Sequence, residues 1–230
     1  MANMKELRFR FLKLQNYDWQ KLSFELIVVF LGVTAGFLLN NWRVDVLESK
    51  LETKYIAGFL QDVNTNISDL ETSLVEDSIW LESATPFLHA VMDNTVQVDS
   101  ARNIMRHVVR ISRLTTSKGT YLDIINSGNL NILSDFTLRT AVIDYHVMLE
   151  GTEFIDDYFY QYFNNLVIPF IMKEFDVLRG EFNNPDIIQT LQFTNVFAGY
   201  YSMIQQRKNA YERLLIQSYA LKDLLESKNH

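Results

Sequence analysis

The chain has 230 residues, of which 48% are hydrophobic, 13% aromatic and 21% charged, with eight glycines, three prolines and no cysteine. This length supports one or two domains with a substantial core, and so few Gly and Pro argue against a β-sandwich or barrel, which needs many turns. The lack of cysteine excludes disulfides, cysteine-ligated zinc, iron–sulfur clusters and thiol catalysis. The aromatic content and moderate charge exclude intrinsic disorder.

Charge is distributed unevenly along the chain. The net charge is −7, which argues against a nucleic-acid partner because phosphate binding needs a basic face. The first 25 residues nevertheless carry a net +2, which leaves −9 on the rest. A basic head on an acidic body predicts that the head meets anionic membrane lipid. The basic residues of the head are Lys5, Arg8, Arg10, Lys13 and Lys21.

An uncharged, mostly apolar run of 17 residues lies between Glu25 and Arg43, at the short end of what spans a bilayer. Trp19 and Trp42 bracket it and are 23 residues apart, or roughly 35 Å along a helix. Trp rings prefer the membrane interface, so we predict a transmembrane helix over residues 22–42, with a buried core helix as the alternative. Its predicted interfacial residues are Trp19, Lys21, Trp42 and Arg43.

The Lys and Arg residues around this span predict its orientation. Five precede it, and the next three, Arg43, Lys50 and Lys54, are interleaved with acidic residues. By the positive-inside bias we expect residues 1–21 to form a cytoplasmic or interfacial segment and residues 43–230 an extracytoplasmic helical domain. Small residues at 33–35 also fit a cleavable signal peptide, but the apolar run continues past them, which favours an uncleaved signal anchor.

Three features of this region predict contacts. Gly32 and Gly36 have the small-xxx-small spacing that lets two membrane helices approach closely, although glycine is also frequent in such helices without that role. Glu25 lies one turn from Lys21, which indicates an interfacial ion pair rather than a proton relay. Residues 4–22 alternate basic and apolar side chains, as in a helix lying in lipid headgroups; docking onto a cytoplasmic partner is the alternative.

Between Arg43 and Ser83 the chain has no proline and one glycine, Gly58. Apolar residues recur at alternating spacings of four and three, which predicts one long amphipathic helix continuous with the transmembrane helix. This spacing fits both a coiled-coil stalk and the first helix of an antiparallel bundle. We expect the helix to end at Thr85, because Pro86 suits the start of a new helix. The apolar positions include Ile56, Leu60, Val63, Ile67, Leu70 and Leu74.

The rest of the body also has a helical pattern, and no strand alternation persists over five residues, so the predicted fold class is all-α. Gly128 is expected to cap one helix in a left-handed conformation, and Gly151 to end another that Ser134 or Asp135 caps. Pro169 is expected to kink or interrupt an aromatic-rich segment, and residues 180–185 to form a loop. The predicted helices are 86–97, 99–114, 120–127, 135–150, 152–178, 186–193 and 195–227.

Two segments resemble a bacterial domain-of-unknown-function family of short, single-pass envelope proteins. In that family an acidic residue precedes an apolar span ending in Asn-Asn-Trp, as Glu25 precedes the span ending at Trp42 here. Its internal Ser-Gly-x-Leu-x-x-Ile/Leu motif is matched from Ser127, within residues 120–139, and Tyr145 follows. The two segments cover about 40 residues. The resemblance implies an inner-membrane anchor with a helical periplasmic domain, and it implies no activity.

Residues that could support chemistry are scattered along the sequence. The four histidines show no metal-binding spacing, and the acidic residues between Glu150 and Asp157 fit a solvated helix start better than a cation site. We therefore predict no catalytic residue, metal or cofactor. The aromatic segment 154–175 could provide a surface for a partner or ligand through Tyr158, Tyr162 and Phe163; core packing is the alternative.

These observations favour a membrane-anchored, non-enzymatic structural or accessory subunit of an envelope protein complex. Its expected partners are membrane lipid, other membrane-protein subunits and further copies of itself. The alternative is an extracytoplasmic small-ligand-binding sensory or transport-accessory module, which is weakened because about 20 cytoplasmic residues are too few for a conventional signalling domain. An enzyme is the least favoured class, because no motif supplies a nucleophile, a base or a phosphate loop.

Overall fold

The computed structural model describes residues 19–108 and 113–228, so the prediction for the basic segment at residues 1–18 lies outside the described residues. The chain divides into two units, Met1–Leu51 and Glu52–His230. Helices dominate the described residues, which confirms the all-α prediction. The α-helices are α1 (Trp19–Met92), α2 (Val98–Val108), α3 (Gly119–Asn126), α4 (Phe136–Tyr162), α5 (Ile168–Glu174) and α6 (Leu191–Lys228).

Helix α1 contains both the predicted membrane span and the predicted amphipathic helix, but the expected end at Thr85 is wrong. The helix continues through Pro86 to Met92, although proline cannot donate the usual backbone hydrogen bond. Burial of Phe87 and Val91 beyond the proline offsets this loss. From Tyr55 to Val91 the helix buries one face in the second unit, so in that unit it is the first helix of a bundle.

Helix α4 also runs further than expected, because the predicted end before Gly151 is wrong. The side chain of Asp135 caps its start, accepting a hydrogen bond from the backbone N–H of Leu138 at 3.1 Å. A glycine inside a helix costs about 1 kcal/mol relative to alanine. Leu149 and Phe159 are buried on either side of the glycine, and this packing keeps the segment helical.

The segment after α4 changes helix type before Pro169, at the place where the sequence predicts a kink or an interruption. Residues Phe163–Val167 form a π-helical turn, and α5 begins at Ile168 with the proline in its first turn. The proline ring would clash with a carbonyl oxygen of a regular preceding α-helical turn, and a widened turn relieves that crowding. The change of helix type therefore interrupts the regular α-helix without ending the helical course of the segment.

Two shorter features complete the second unit. Gly128 has a φ of +71° after α3, which confirms the predicted left-handed cap. The predicted loop at 180–185 instead contains a two-residue antiparallel pairing, in which Phe175 lies opposite Phe182. Gly180, with a φ of +68°, closes that turn by donating its N–H to the Asp176 carbonyl at 2.7 Å. The remaining elements are 3₁₀ turns at Leu130–Ile132 and Pro185–Gln189 and the strands β1 (Phe175–Asp176) and β2 (Glu181–Phe182).

The hydrophobic core of the second unit is rich in aromatic side chains. Part of α1 packs there against α2, the end of α4, the π-helical turn, α5 and the first half of α6. Edge-to-face ring contacts are frequent; the rings of Phe87 and Phe197 have centroids 4.7 Å apart at 82°. The buried aromatic residues of this cluster are Phe87, Phe159, Phe163, Phe170, Phe175, Phe182, Phe193, Phe197 and Tyr200.

Candidate functional site

The apolar run at the start of α1 is exposed along its whole length. Between Leu26 and Leu39 ten large apolar side chains are each 51–71% exposed. One 18-residue window of the helix has a mean hydropathy of 2.2 and none of it is buried. Full burial of such a side chain gains about 1.5–3 kcal/mol, so leaving ten of them in water costs on the order of 10 kcal/mol. This segment is long and apolar enough to cross a membrane.

The residues predicted at the edges of this segment are all on its surface. Trp19 and Trp42 are exposed at its two ends, and Lys21 and Arg43 are exposed next to them. Such a distribution of rings and cations is typical of a helix whose ends lie in lipid headgroups. Within the described residues Lys21 forms no ion pair with Glu25, so that predicted contact is wrong.

Gly32 and Gly36 lie one turn apart on the exposed apolar segment. A Cβ placed at either position would meet no heavy atom within 4 Å. The two glycines therefore leave a shallow groove at which a second helix could approach the backbone closely. The described residues leave this groove uncovered, and the predicted self-association stays a prediction.

The structure separates the three aromatic residues predicted as a partner or ligand surface. Tyr158 is half exposed on α4, and Phe163 is buried in the core beside Tyr200, with ring centroids 6.1 Å apart. Tyr162 is half buried, and its hydroxyl lies 3.1 and 3.2 Å from the carbonyl oxygens of Asn195 and Val196, to which it donates. Of the three, Tyr158 is the one that offers an exposed ring face.

A small cavity lies in the aromatic core of the described residues. Its volume is about 10 Å³, close to the minimum for a single water molecule. Its lining residues come from α2, the segment 167–170 and α6: Met105, Val108, Val167, Phe170, Phe193, Val196, Phe197 and Tyr200. Val167 and Phe170, which belong to the aromatic segment, are therefore packed in the core rather than exposed to a ligand.

A buried charge cluster joins α1, α4 and α6, and the sequence reasoning missed it. Arg207 donates to the carboxylate of Asp77 from Nε at 2.9 Å and also from Nη2, and its Nη1 lies 3.8 Å from Oδ1 of Asp156. Tyr211 donates its hydroxyl to the same Asp156 oxygen at 2.5 Å. The guanidinium also lies 4.2 Å from the ring centroid of Phe159, within cation–π range.

In this cluster the guanidinium of Arg207 is shared by two buried carboxylates, those of Asp77 and Asp156. Burial raises the pKa of Asp156 above its ordinary value, and the hydrogen bond from Tyr211 and the charge of Arg207 only partly oppose that rise. Burial opposes the charge on Arg207, but the hydrogen bond and the charge of Asp77 outweigh it and raise its pKa. The arrangement can fix the positions of α1, α4 and α6 relative to one another. When both carboxylates are ionised, it has a net charge of −1 in the core.

The sequence did contain a signal for this cluster. Asp77 falls on the buried face of α1, between Leu70 and Leu81, at the same three-to-four-residue spacing. Arg207 falls likewise between buried residues of α6, and Asp156 between buried residues of α4. A charged residue in the apolar register of a helix is either buried with a partner or misplaced. Three such positions on three helices indicate a shared cluster.

An open polar cleft of about 500 Å³ lies beside this cluster. Its charged side chains pair with one another: Arg113 with Asp157 at 2.7 Å, and Lys118, adjacent to the lining, with Glu153 at 2.7 Å. The acidic residues predicted as a solvated helix start therefore lie within α4, and Asp156 among them is buried, so that interpretation is wrong for this residue. Among the described residues no three His, Asp or Glu side chains are arranged to hold a metal.

The loop before α3 is attached to α1 by side-chain hydrogen bonds. The amide of Asn66 accepts from the backbone N–H of Ser117 at 2.6 Å and donates to its carbonyl at 2.9 Å. Asp62 accepts from the Ser117 hydroxyl at 2.6 Å and from the backbone N–H of Thr120 at 2.9 Å. The same Asn66 amide donates to the hydroxyl of buried Tyr145 at 2.9 Å. This network positions the loop against α1.

His146 is buried near this network, stacked on the ring of Tyr121 with centroids 3.8 Å apart. Its Nδ1 lies 2.8 Å from the Val142 carbonyl, to which the neutral imidazole donates, and its buried Nε2 has no hydrogen-bond partner. Burial lowers the pKa of this side chain below its ordinary value. The imidazole therefore fills the core as a neutral ring.

Comparison of the chain with protein-family models, with curated proteins and with solved structures found no match. The resemblance of residues 25–42 and 120–139 to a bacterial envelope family therefore stays a prediction. A proposal for the function of the protein therefore has to be argued from its fold and from the surfaces described above.

Proposed function

We propose that this chain is a membrane-anchored, non-enzymatic structural or accessory subunit of an envelope protein complex. One observation carries the proposal: the ten large apolar side chains between Leu26 and Leu39 are exposed together, and a lipid bilayer is the environment that would cover them all. In this proposal the span crosses a bacterial inner membrane once. The N-terminus is cytoplasmic and the second unit periplasmic, as the excess of Lys and Arg before the span favours.

The interior of the second unit supports a scaffolding role over catalysis. Its buried charges are directed at one another, as Arg207 is at Asp77 and Asp156, and its core cavity is the size of a water molecule. Such features hold helices together and leave few polar groups to act on a substrate. In the proposal, the second unit contacts other membrane-protein subunits or further copies of the chain through its surface.

The anchoring is tested with single introduced cysteines, because the chain has none of its own. Asn3→Cys and Ser227→Cys are each expressed in full-length chain, and intact spheroplasts are treated with a membrane-impermeant maleimide. We expect both proteins in the carbonate-resistant membrane fraction, with Ser227→Cys labelled at once and Asn3→Cys labelled only after lysis. The reverse labelling pattern would overturn the orientation, and a carbonate-soluble chain would overturn the anchor.

The accessory role is tested by purification in mild detergent through a C-terminal tag. We expect the chain to elute with defined membrane proteins in fixed ratios, as judged by mass spectrometry and by comigration on a sizing column. A lone monomeric species would contradict this role. A matched tagged preparation of the Val29→Arg variant, which places a charge in the span, is expected to lose those proteins together with membrane association.

A further inference from the structure

An apolar stripe runs along the exposed face of α4. Val147, Phe154 and Tyr158 are 63%, 69% and 51% exposed, and together with Gly151 they follow one another at spacings of four, three and four. This is the spacing of the contact seam of a coiled coil. At Gly151 no heavy atom lies within 4 Å of where a Cβ would be, so the seam has a gap at its centre. We refer to these four residues as the α4 stripe.

The two edges of the α4 stripe differ in chemistry. On one side each neighbour is apolar or aromatic: Met148, Ile155 and Tyr162, which recur every seven residues. On the other side the neighbours are acidic: Glu150, Glu153 and Asp157. Asp144 lies three residues before Val147 and seven before Gly151, so it continues the stripe itself at its N-terminal end. No Lys or Arg occurs from residue 140 to residue 172.

Part of this acidity is already neutralised within the protein. Glu153 pairs with Lys118 and Asp157 with Arg113, both at 2.7 Å. Asp144 and Glu150 are exposed, and neither has an ion pair among the residues the structure describes. The stripe therefore keeps one negative charge on its acidic edge and one at its N-terminal end, which a partner could approach with Lys or Arg.

We propose that the α4 stripe is the docking surface for an amphipathic helix of a different protein, whose apolar residues recur at three-to-four spacing and are flanked by Lys or Arg. The apolar seam would bury its four positions against that helix, with a bulky partner side chain entering the gap at Gly151. A basic residue on one flank of that helix would pair with Glu150, and a second would approach Asp144 at the N-terminal end of the stripe, which sets the register and the choice of partner.

The same charges argue against the two other occupants of such a face. An antiparallel second copy of α4 would place the edge of Glu150 against the same acidic edge, and like charges at an interface are costly. A parallel copy would place Glu150 beside the edge of Met148 and Ile155, which has no Lys or Arg to pair with it. An anionic lipid surface would be repelled by Glu150 and Asp144 in the same way. This inference rests on the proposed function, because it names the surface through which the subunit holds its partner.

The first experiment uses the full chain in phosphatidylcholine nanodiscs and a defined probe. The probe is a fluorescent peptide of three heptads with Leu at the seam positions and Lys on both flanks, and its binding is followed by anisotropy. We expect micromolar binding that falls about tenfold in Phe154→Ser and in Glu150→Lys. The matched control Ile216→Ser, which removes an equally exposed apolar side chain from α6, is expected to bind like the unaltered chain.

Two results of that measurement would overturn the proposal. One is equal affinity of the unaltered chain and Phe154→Ser, with circular dichroism showing that both are folded. The other is equal binding of a matched peptide that carries Glu in place of Lys. If the chain still purifies with its partners while Phe154→Ser binds normally, the docking surface is wrong and the accessory role stands. If no partners purify but the peptide follows the pattern above, the surface stands without that role.

The second experiment replaces Phe154 by a benzophenone amino acid in the full chain in its native membranes. After irradiation, the cross-linked peptide is sequenced by mass spectrometry. We expect a segment of another protein in which Lys or Arg flanks apolar residues spaced by three and four. Cross-linking to a second copy of this chain, or to lipid, would overturn the proposal. The same amino acid at Ile216 is the control for random collision, and it is expected to give no such segment.

Discussion

Arg207 on α6 and Asp77 on α1, 130 residues apart in sequence, form a two-point ion pair that is almost entirely buried. Both side chains keep at most 4% of their surface exposed. Removing one member of a buried pair leaves an uncompensated charge, whereas replacing the whole group by apolar residues is often neutral. The pair therefore ties the arrangement of α1 and α6 to one specific contact.

We predict that Arg207→Met lowers the free energy of unfolding by about 3–5 kcal/mol, because it leaves both Asp77 and Asp156 without their cation. The measurement is chemical unfolding of the detergent-solubilised full chain, followed by near-ultraviolet circular dichroism. Lys208→Met is the matched control, since Lys208 is adjacent but pairs with half-exposed Glu212 at 3.0 Å. That change is expected to cost at most about 1 kcal/mol. Equal losses in the two variants would contradict the role assigned to the pair.

The long apolar helix near the N-terminus and the all-α fold class could be predicted from the sequence because their signals are local. The uncharged run between Glu25 and Arg43 and the apolar spacing after it are read directly from neighbouring residues. The left-handed cap at Gly128 is similarly local, since it depends on one backbone conformation. Each of these features is largely independent of what packs against it.

The helix ends and the buried cluster could not be predicted because they depend on contacts distant in sequence. Pro86 and Gly151 are helix breakers by local preference, yet residues on both sides of each are buried, and that packing outweighs a cost of a few kcal/mol. The local sequence predicts a solvated Asp156, because its partners Arg207 and Tyr211 lie more than 50 residues away. Local propensity is a weak guide wherever tertiary packing competes with it.

Two helix glycines should respond in opposite ways to alanine. A Cβ at Gly199 would overlap the phenol of Tyr162, whose hydroxyl is held by two carbonyl oxygens of α6. We predict that Gly199→Ala destabilises the chain by about 1–2 kcal/mol, because displacing the ring costs more than the gain in helix propensity. Gly151→Ala meets no atom within 4 Å, so it should stabilise by about 0.5–1 kcal/mol. Thermal unfolding measures both, and a shared sign for the two changes would contradict this account.

The buried neutral state of His146 makes stability depend on pH. Its folded-state pKa lies below the ordinary value of 6.5, so its contribution to stability is present above pH 6.5 and is lost as the pH falls through the folded-state pKa. Protonation would place a charge on a ring whose Nε2 has no partner. His146→Phe keeps a ring in the same place and removes this titration.

We therefore predict that the melting temperature falls less between pH 7.5 and pH 5 in His146→Phe than in the unaltered chain. The comparison between variants cancels the carboxyl groups, including Asp156, whose raised pKa acts in the opposite direction. His107→Phe replaces an exposed histidine by the same residue and is the matched control for the substitution itself. Identical pH profiles for His146→Phe and the unaltered chain would show that this imidazole is not buried as a neutral ring.

The groove at Gly32 and Gly36 leads to a prediction about self-association in the membrane. Two parallel copies of α1 meeting at these glycines would bring their backbones into van der Waals contact, and a larger side chain at either position would separate them. We predict that Gly36→Leu weakens dimerisation about tenfold. Analytical ultracentrifugation of the full chain over a range of protein-to-detergent ratios provides the measurement.

Thr34→Leu is the matched control, because residue 34 lies about 200° around the helix from Gly32 and thus on the opposite side. It adds a similar side chain to the same span and should leave the dissociation constant unchanged. A chain that stays monomeric at every ratio, or equal weakening by Gly36→Leu and Thr34→Leu, would rule out the glycine groove as a self-association surface. Weakening confined to Gly36→Leu would place a second copy at this face of the span, separate from the α4 stripe and its basic partner.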